Sequence, residues 1–138
     1  MTDRLIGIDF GLSKVGLSIS DPLKIISIPL KVIKYKKREE LLNKLQEIAM
    51  ENDVKSFVIG YPLNMNNKKN EMTKLVDDFF EELKNLNFNV FLQDERLSSE
   101  SAKKIMHEQN IKTGKNKEHI DLIASTIILQ SFLDKGSF

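Results

Sequence analysis

The feature that most limits how this chain can fold is a change of hydrophobic period at Lys37. Before it, apolar residues run as they do in strands. Leu5, Ile6, Ile8 and Phe10 form one run, and Val15, Leu17 and Ile19 alternate with Gly16, Ser18 and Ser20. Side chains on a strand point to opposite faces in turn, so two strands are expected here. Gly11-Leu12-Ser13-Lys14 lies between them, a short connection with a glycine, and reads as a hairpin turn. Ile25 to Ile33 reads as a third strand. Pro29 inside it cannot donate to a ladder, which argues for an edge position or a bulge.

After Lys37 the spacing becomes helical. Leu41, Leu42, Leu45, Ile48 and Ala49 mark one helix to about Asn52, and Met72, Leu75, Val76, Phe79, Phe80 and Leu83 mark a second. At that spacing the aromatic and methionine residues read as core. Short apolar runs at Phe57 to Gly60 and Asn89 to Gln93 read as buried strands. Ser98 to Gln109 reads as a short helix with serines suited to cap it, and Glu118 to Asp134 as a final helix. Three hairpin-joined strands followed by alternating helices and strands predict one α/β domain over residues 1–138. Its core is a five-stranded mixed sheet with helices on both faces.

Composition removes several kinds of chemistry. Cysteine is absent, which excludes disulfide scaffolds, thiol nucleophiles and thiolate metal sites. His107 and His119 are the only histidines, too few for a multi-histidine zinc site. No apolar run reaches the roughly 18 residues of a membrane span, and the N-terminus lacks signal-peptide order, so a cytoplasmic protein is expected. A net charge of +1 does not announce a nucleic-acid binder. Lys31 to Arg38 nevertheless holds five basic residues and no acid, and a second basic stretch spans Lys103 to Lys117.

The informative acids stand in apolar settings. Asp9 ends an apolar strand before a glycine turn, Asp94 and Glu95 end another strand, and Asp121 lies in the first turn of the last helix. At about 100° per residue, Asp121 falls between Ile128 and Phe132, a sector expected to be buried. A carboxylate there costs several kcal/mol of effective desolvation unless it is paired or bound to a metal. Helix N-terminal electrostatics and a turn aspartate are the simpler explanations for Asp121 and Asp9 taken singly. Taken together, converging carboxylates repel one another, and Mg²⁺ or Mn²⁺, which favour oxygen ligands, relieve that repulsion. Gly7, Gly11 and Gly16 do not have the spacing of a dinucleotide-binding loop, and close packing or turns explain them as well.

Four segments, in order, carry a resemblance. GIDFGLSKVGLSISDP (Gly7 to Pro22), VIGYPLNMN (Val58 to Asn66), DERLSSESAKKIM (Asp94 to Met106) and KEHIDLIASTIILQSFLD (Lys117 to Asp134) resemble motifs of the YqgF/RuvX family. Its members are described as Holliday-junction-resolvase-like proteins and as pre-16S rRNA nucleases. The resemblance implies an RNase H-like fold and a carboxylate-held Mg²⁺ or Mn²⁺ site. Asp9, Glu95 (or Asp94 as the alternative) and Asp121 match the family's catalytic acids, with Asp9, Glu95 and Asp121 as metal ligands. Neighbouring residues on a strand face opposite ways, so one of Asp94 and Glu95 is expected to ligate. Lys14, Arg96, Lys112 and Lys115 are the expected contacts to nucleic acid. Two departures stand out. Ser13-Lys14 replaces the family's lysine-arginine pair, and an Asn/Lys-rich stretch, Asn64 to Asn70, replaces its usual loop glycine.

The implied activity is metal-dependent hydrolysis of a phosphodiester in structured RNA, at the 5′ end of pre-16S rRNA. Two alternatives stay open. One is resolution of branched DNA by a homodimer, where the first reading allows a monomer. The other is a nucleic-acid-binding module without catalysis.

Overall fold

The structure is a computed structural model and describes residues 3–63, 69–95 and 117–136. Five strands form one sheet: β1 (Arg4–Asp9), β2 (Lys14–Ser20), β3 (Ser27–Lys34), β4 (Val54–Tyr61) and β5 (Asn89–Asp94). Their spatial order is β3-β2-β1-β4-β5. β2 runs antiparallel to both β1 and β3, whereas β4 runs parallel to β1 and β5 parallel to β4. The described helices are α1 (Arg38–Asn52), α2 (Glu71–Asn85) and α3 (Lys117–Lys135). The expected helix at Ser98 to Gln109 lies outside the described residues.

Strand alternation sorts the core into two layers. Ile6, Ile8 and Phe10 of β1 and its exit, Val15, Leu17 and Ile19 of β2, and Phe57 and Ile59 of β4 pack with Leu41 and Leu45 of α1 and Phe79 and Leu83 of α2. On the opposite face, Leu5 and Val58 pack with Ile128, Leu129, Phe132 and Leu133 of α3. The mixed sheet with helices on both faces is therefore as expected. α1 and α2 are capped differently. Asn70 and Thr73 form a reciprocal capping box at α2, whereas Lys37 makes no side-chain cap at α1.

The face under α3 is lined with small residues where the helix crosses the sheet. A Cβ at Gly7 would lie 2.5 Å from Ser18 Oγ and 2.7 Å from Leu129 Cβ, so only glycine allows this approach. Ser18 Oγ donates to Ser125 O at 2.8 Å, and Ser125 Oγ lies 2.9 Å from both Gly7 O and Ser18 Oγ. This buried group satisfies its polar atoms internally and fixes the height and rotation of α3 above β1 and β2.

The third strand departs from expectation at its start. It begins at Ser27, not Ile25, because the Asp21 carboxylate takes the amides of Leu23, Ile25 and Ile26 at 3.3, 2.7 and 2.8 Å. Lys24 completes the turn in the left-handed region (φ 61°). Leu23, Ile25, Ile26 and Ile28 are left exposed, an apolar patch that strand alternation alone does not predict. Pro29 sits on the edge strand beside a register shift, as expected for proline.

Candidate active site

Parity along the strands brings three acids to one place. In β1, Leu5 and Gly7 face α3, so Asp9 at the strand's last position faces it too. Phe10 takes the other face, stacks on Phe79 (ring centroids 4.8 Å apart) and lies under the Arg38 guanidinium. This anchor fixes the backbone that carries Asp9. In β5, Phe91 packs on the α3 side and Val90 on the other. That alternation turns Asp94 away from the Asp9 face, and Glu95, in the turn just past β5, reaches the α3 side over Gly60, beside Ile128. The Glu95 amide donates to Tyr61 O at 3.3 Å, and its carboxyl folds over β4. A Cβ at Gly60 would lie only 2.6 Å from Glu95 Oε1.

Asp121 enters from α3. Asp9 and Gly16 are paired in the β1–β2 ladder. Gly16 lies directly beneath Asp121, where a Cβ would meet the Asp121 carbonyl carbon at 2.7 Å and its Cβ at 3.2 Å. Gly16 thus acts as a cradle that lets the helix bring its acid down to the strand end. The sector expected from the helical wheel is the one the helix turns to the sheet.

The electrostatics register this convergence. The Asp9 carboxyl is pushed from 3.8 up to about 7, first by burial, then by the charges of Glu95 and Asp121. Glu95 is also raised, by burial and by its neighbour Asp94. Lys14, at the start of β2, places Nζ 3.0 Å from Asp121 Oδ2. That oxygen is buried and accepts no hydrogen bond among the described residues, so the ammonium is its partner by charge.

These residues suit a hard divalent cation. The donors are carboxylate oxygens, one is buried without a hydrogen bond, and Asp9 is strained by negative neighbours. Among the described residues no three acidic or histidine side chains already close on one ion. The ammonium at Asp121 supplies the positive charge there instead.

Of the residues expected to contact nucleic acid, Lys14 belongs to this group. Arg96, Lys112 and Lys115 lie outside the described residues, as does the side chain of His119. Gly16, Gly60, Ser18 and Ser125 were not singled out for the site from sequence, yet they set its shape. Only Gly16 and Ser18 belong to the run of small residues alternating with large ones in β2; Gly60 stands in β4 and Ser125 in α3. No described helix is long and apolar enough to cross a membrane.

Known proteins resemble the chain along nearly its whole length. A family model described as "RuvX: Holliday junction resolvase" matches residues 3–135. A protein of Ruminiclostridium cellulolyticum named "Putative pre-16S rRNA nuclease" is 39% identical over 134 residues, 96% of this chain and 94% of its own. A protein of the same name from Mycoplasmopsis synoviae is 40% identical over 133 residues, 95% and 97% of the two chains. Among solved structures, Thermus thermophilus RuvC in complex with a Holliday junction substrate superposes with a TM-score of 0.60 at 12% identity. The match covers 97% of this chain and 95% of that one. Fowlpox virus resolvase with its Holliday junction DNA gives 0.58 at 10%, covering 98% and 99%. At such identities the likeness carries the fold, which is RNase H-like.

Proposed function

This chain belongs to the RuvX family, and we propose that it is a nuclease hydrolysing a phosphodiester bond at Asp9, Glu95 and Asp121, with pre-16S rRNA as substrate. The observation that carries the reading is the mutual charge of the three acids on one sheet face, expressed in the raised Asp9 carboxyl. The RNA substrate rests on the names of relatives 39% and 40% identical over nearly their full length.

Asp9, Glu95 and Asp121 would hold Mg²⁺ or Mn²⁺, which supplies water activation and neutralises charge on the phosphodiester. The chain's own residues do the rest. Phe10 on Phe79 and the Gly16 cradle hold two of the acids in fixed places, so little reorganisation is needed when substrate arrives. Lys14 offers an ammonium beside the reacting centre for a backbone phosphate. Arg96, Lys112 and Lys115 would add positive charge for the nucleic-acid backbone. The protein works in the cytoplasm, and for RNA cleavage one copy is enough.

Resolution of branched DNA is the second reading, favoured by the family's description. It needs two copies, because two strands must be cut symmetrically. The test is cleavage of a labelled pre-16S 5′ leader and of a four-way DNA junction in parallel, with Mg²⁺ and with chelator. The proposal expects Mg²⁺-dependent cleavage of the RNA. Junction cleavage alone by a dimer transfers the assignment to the resolvase. Binding of both without cleavage leaves a nucleic-acid-binding module.

A further inference from the structure

Lys14 occupies an unusual position for a residue expected to touch substrate, because its ammonium is already engaged. The turn before it is closed and tied down. Tyr35 N donates to Ser13 O at 3.0 Å, and the Tyr35 hydroxyl donates to Gly11 O. From that base the side chain reaches across to Asp121 Oδ2 at 3.0 Å. The acid cannot retreat, since its backbone rests on Gly16. Nor is its oxygen open to water. Among the described residues, the Lys14 ammonium is thus paired with one of three carboxylates on this face.

We propose that Lys14 is a placeholder cation. It neutralises Asp121 while no divalent ion is bound, and it is displaced from Oδ2 when one binds. This rests on the metal-site reading above. Two cations at one buried carboxylate oxygen repel each other strongly, so an ion that takes Asp121 takes it from the ammonium. The released side chain has somewhere to go. A cavity of about 570 Å³, lined by Ser13, Lys14, Lys34, Tyr35, Lys36 and Glu40, adjoins it. Three lysines line that space, and a phosphate ester is the ligand class that such a lining favours. Metal loading therefore converts Lys14 from the partner of an acid into a partner for a backbone phosphate, and the two binding events reinforce each other.

The test is calorimetric titration of Mn²⁺ into the full chain without nucleic acid. Wild type is compared with Lys14→Met, with Lys14→Gln as a second neutral variant, and with Lys36→Met as a charge control. Both Lys14 substitutions are repeated in an Asp121→Asn background. Removing a part-exposed competing ion pair is expected to tighten Mn²⁺ binding about threefold or more. Lys36→Met, which removes the same charge without touching Asp121, is expected to give a smaller gain. In the Asp121→Asn background the Lys14 effect is expected to vanish. Equal or weaker Mn²⁺ binding by folded Lys14→Met and Lys14→Gln overturns the proposal. So does an equal gain from Lys36→Met, which would reduce the effect to long-range charge. If the Asp121→Asn background weakens Mn²⁺ binding while the Lys14 variants do not tighten it, the placeholder falls and the metal site stands. If no acid substitution alters Mn²⁺ binding, both fall.

Discussion

Replacing Asp9 by asparagine should make the metal-free protein more stable while destroying its activity. Burial and two like charges raise the Asp9 carboxyl from 3.8 to about 7. A carboxyl with a raised folded pKa keeps its proton in the native state after the unfolded chain has lost it. Stability is therefore greatest below the unfolded value and falls as pH rises towards the folded one. With about 1.4 kcal/mol per pKa unit, this group alone removes about 2–3 kcal/mol of stability between about pH 5 and about pH 8. Glu95 is shifted in the same direction and adds to the fall. Asp9→Asn mimics the protonated form at every pH. In chelator at about pH 8 the variant should exceed wild type by about 2–4 kcal/mol, and its pH dependence should be flatter. Urea unfolding at the two pH values measures both quantities. Added Mg²⁺ or Mn²⁺ should narrow the gap at high pH by binding the native wild type. Parallel pH profiles for wild type and variant would refute the idea that desolvation and charge crowding meet at Asp9.

Three further outcomes follow from named contacts. Gly16→Ala drives a methyl group into the Asp121 backbone; it should cost about 1–3 kcal/mol in urea unfolding and displace the acid enough to slow cleavage about tenfold or more. Glu95→Gln should cut the cleavage rate by about 100-fold or more, whereas Asp94→Asn, on the opposite face by strand parity, should stay within about tenfold of wild type; reversal of that order would exchange the two roles. Gln93 is 1% exposed, with neither side-chain amide atom hydrogen-bonded among the described residues. Gln93→Leu should therefore stabilise the protein by about 1–2 kcal/mol in thermal or urea unfolding, and a loss of stability would contradict that account.

The sequence made the acids legible because a charged residue at the end of an apolar strand is conspicuous within a few neighbours. Asp9 and the Asp94-Glu95 pair could be read that way, the sector of Asp121 from helical spacing, and the hairpin and the change of period from the apolar pattern. What could not be read depends on contacts between distant segments. Ser18 and Ser125 are 107 residues apart, and nothing local in either shows that they meet. Gly16 looks like any strand glycine until α3 lies on it. The start of β3 was misplaced because Ile25 and Ile26 look like strand residues. Their amides are captured by the Asp21 side chain, and Gln130 of α3 bonds Ile25 O and Ser27 N. The apolar pattern was sound, but a side-chain capture overrode it.

If the three convergent acids cut a phosphodiester with the help of a divalent cation, removing any one of them should stop cleavage. The most direct measurement is single-turnover cleavage of the pre-16S 5′ leader by wild type, Asp9→Asn and Asp121→Asn, with RNA affinity measured alongside. Cleavage by wild type should require Mg²⁺ or Mn²⁺. Each variant should lose about 100-fold or more with RNA still bound. Cleavage that persists in both folded variants, or that proceeds unchanged in chelator, would contradict it.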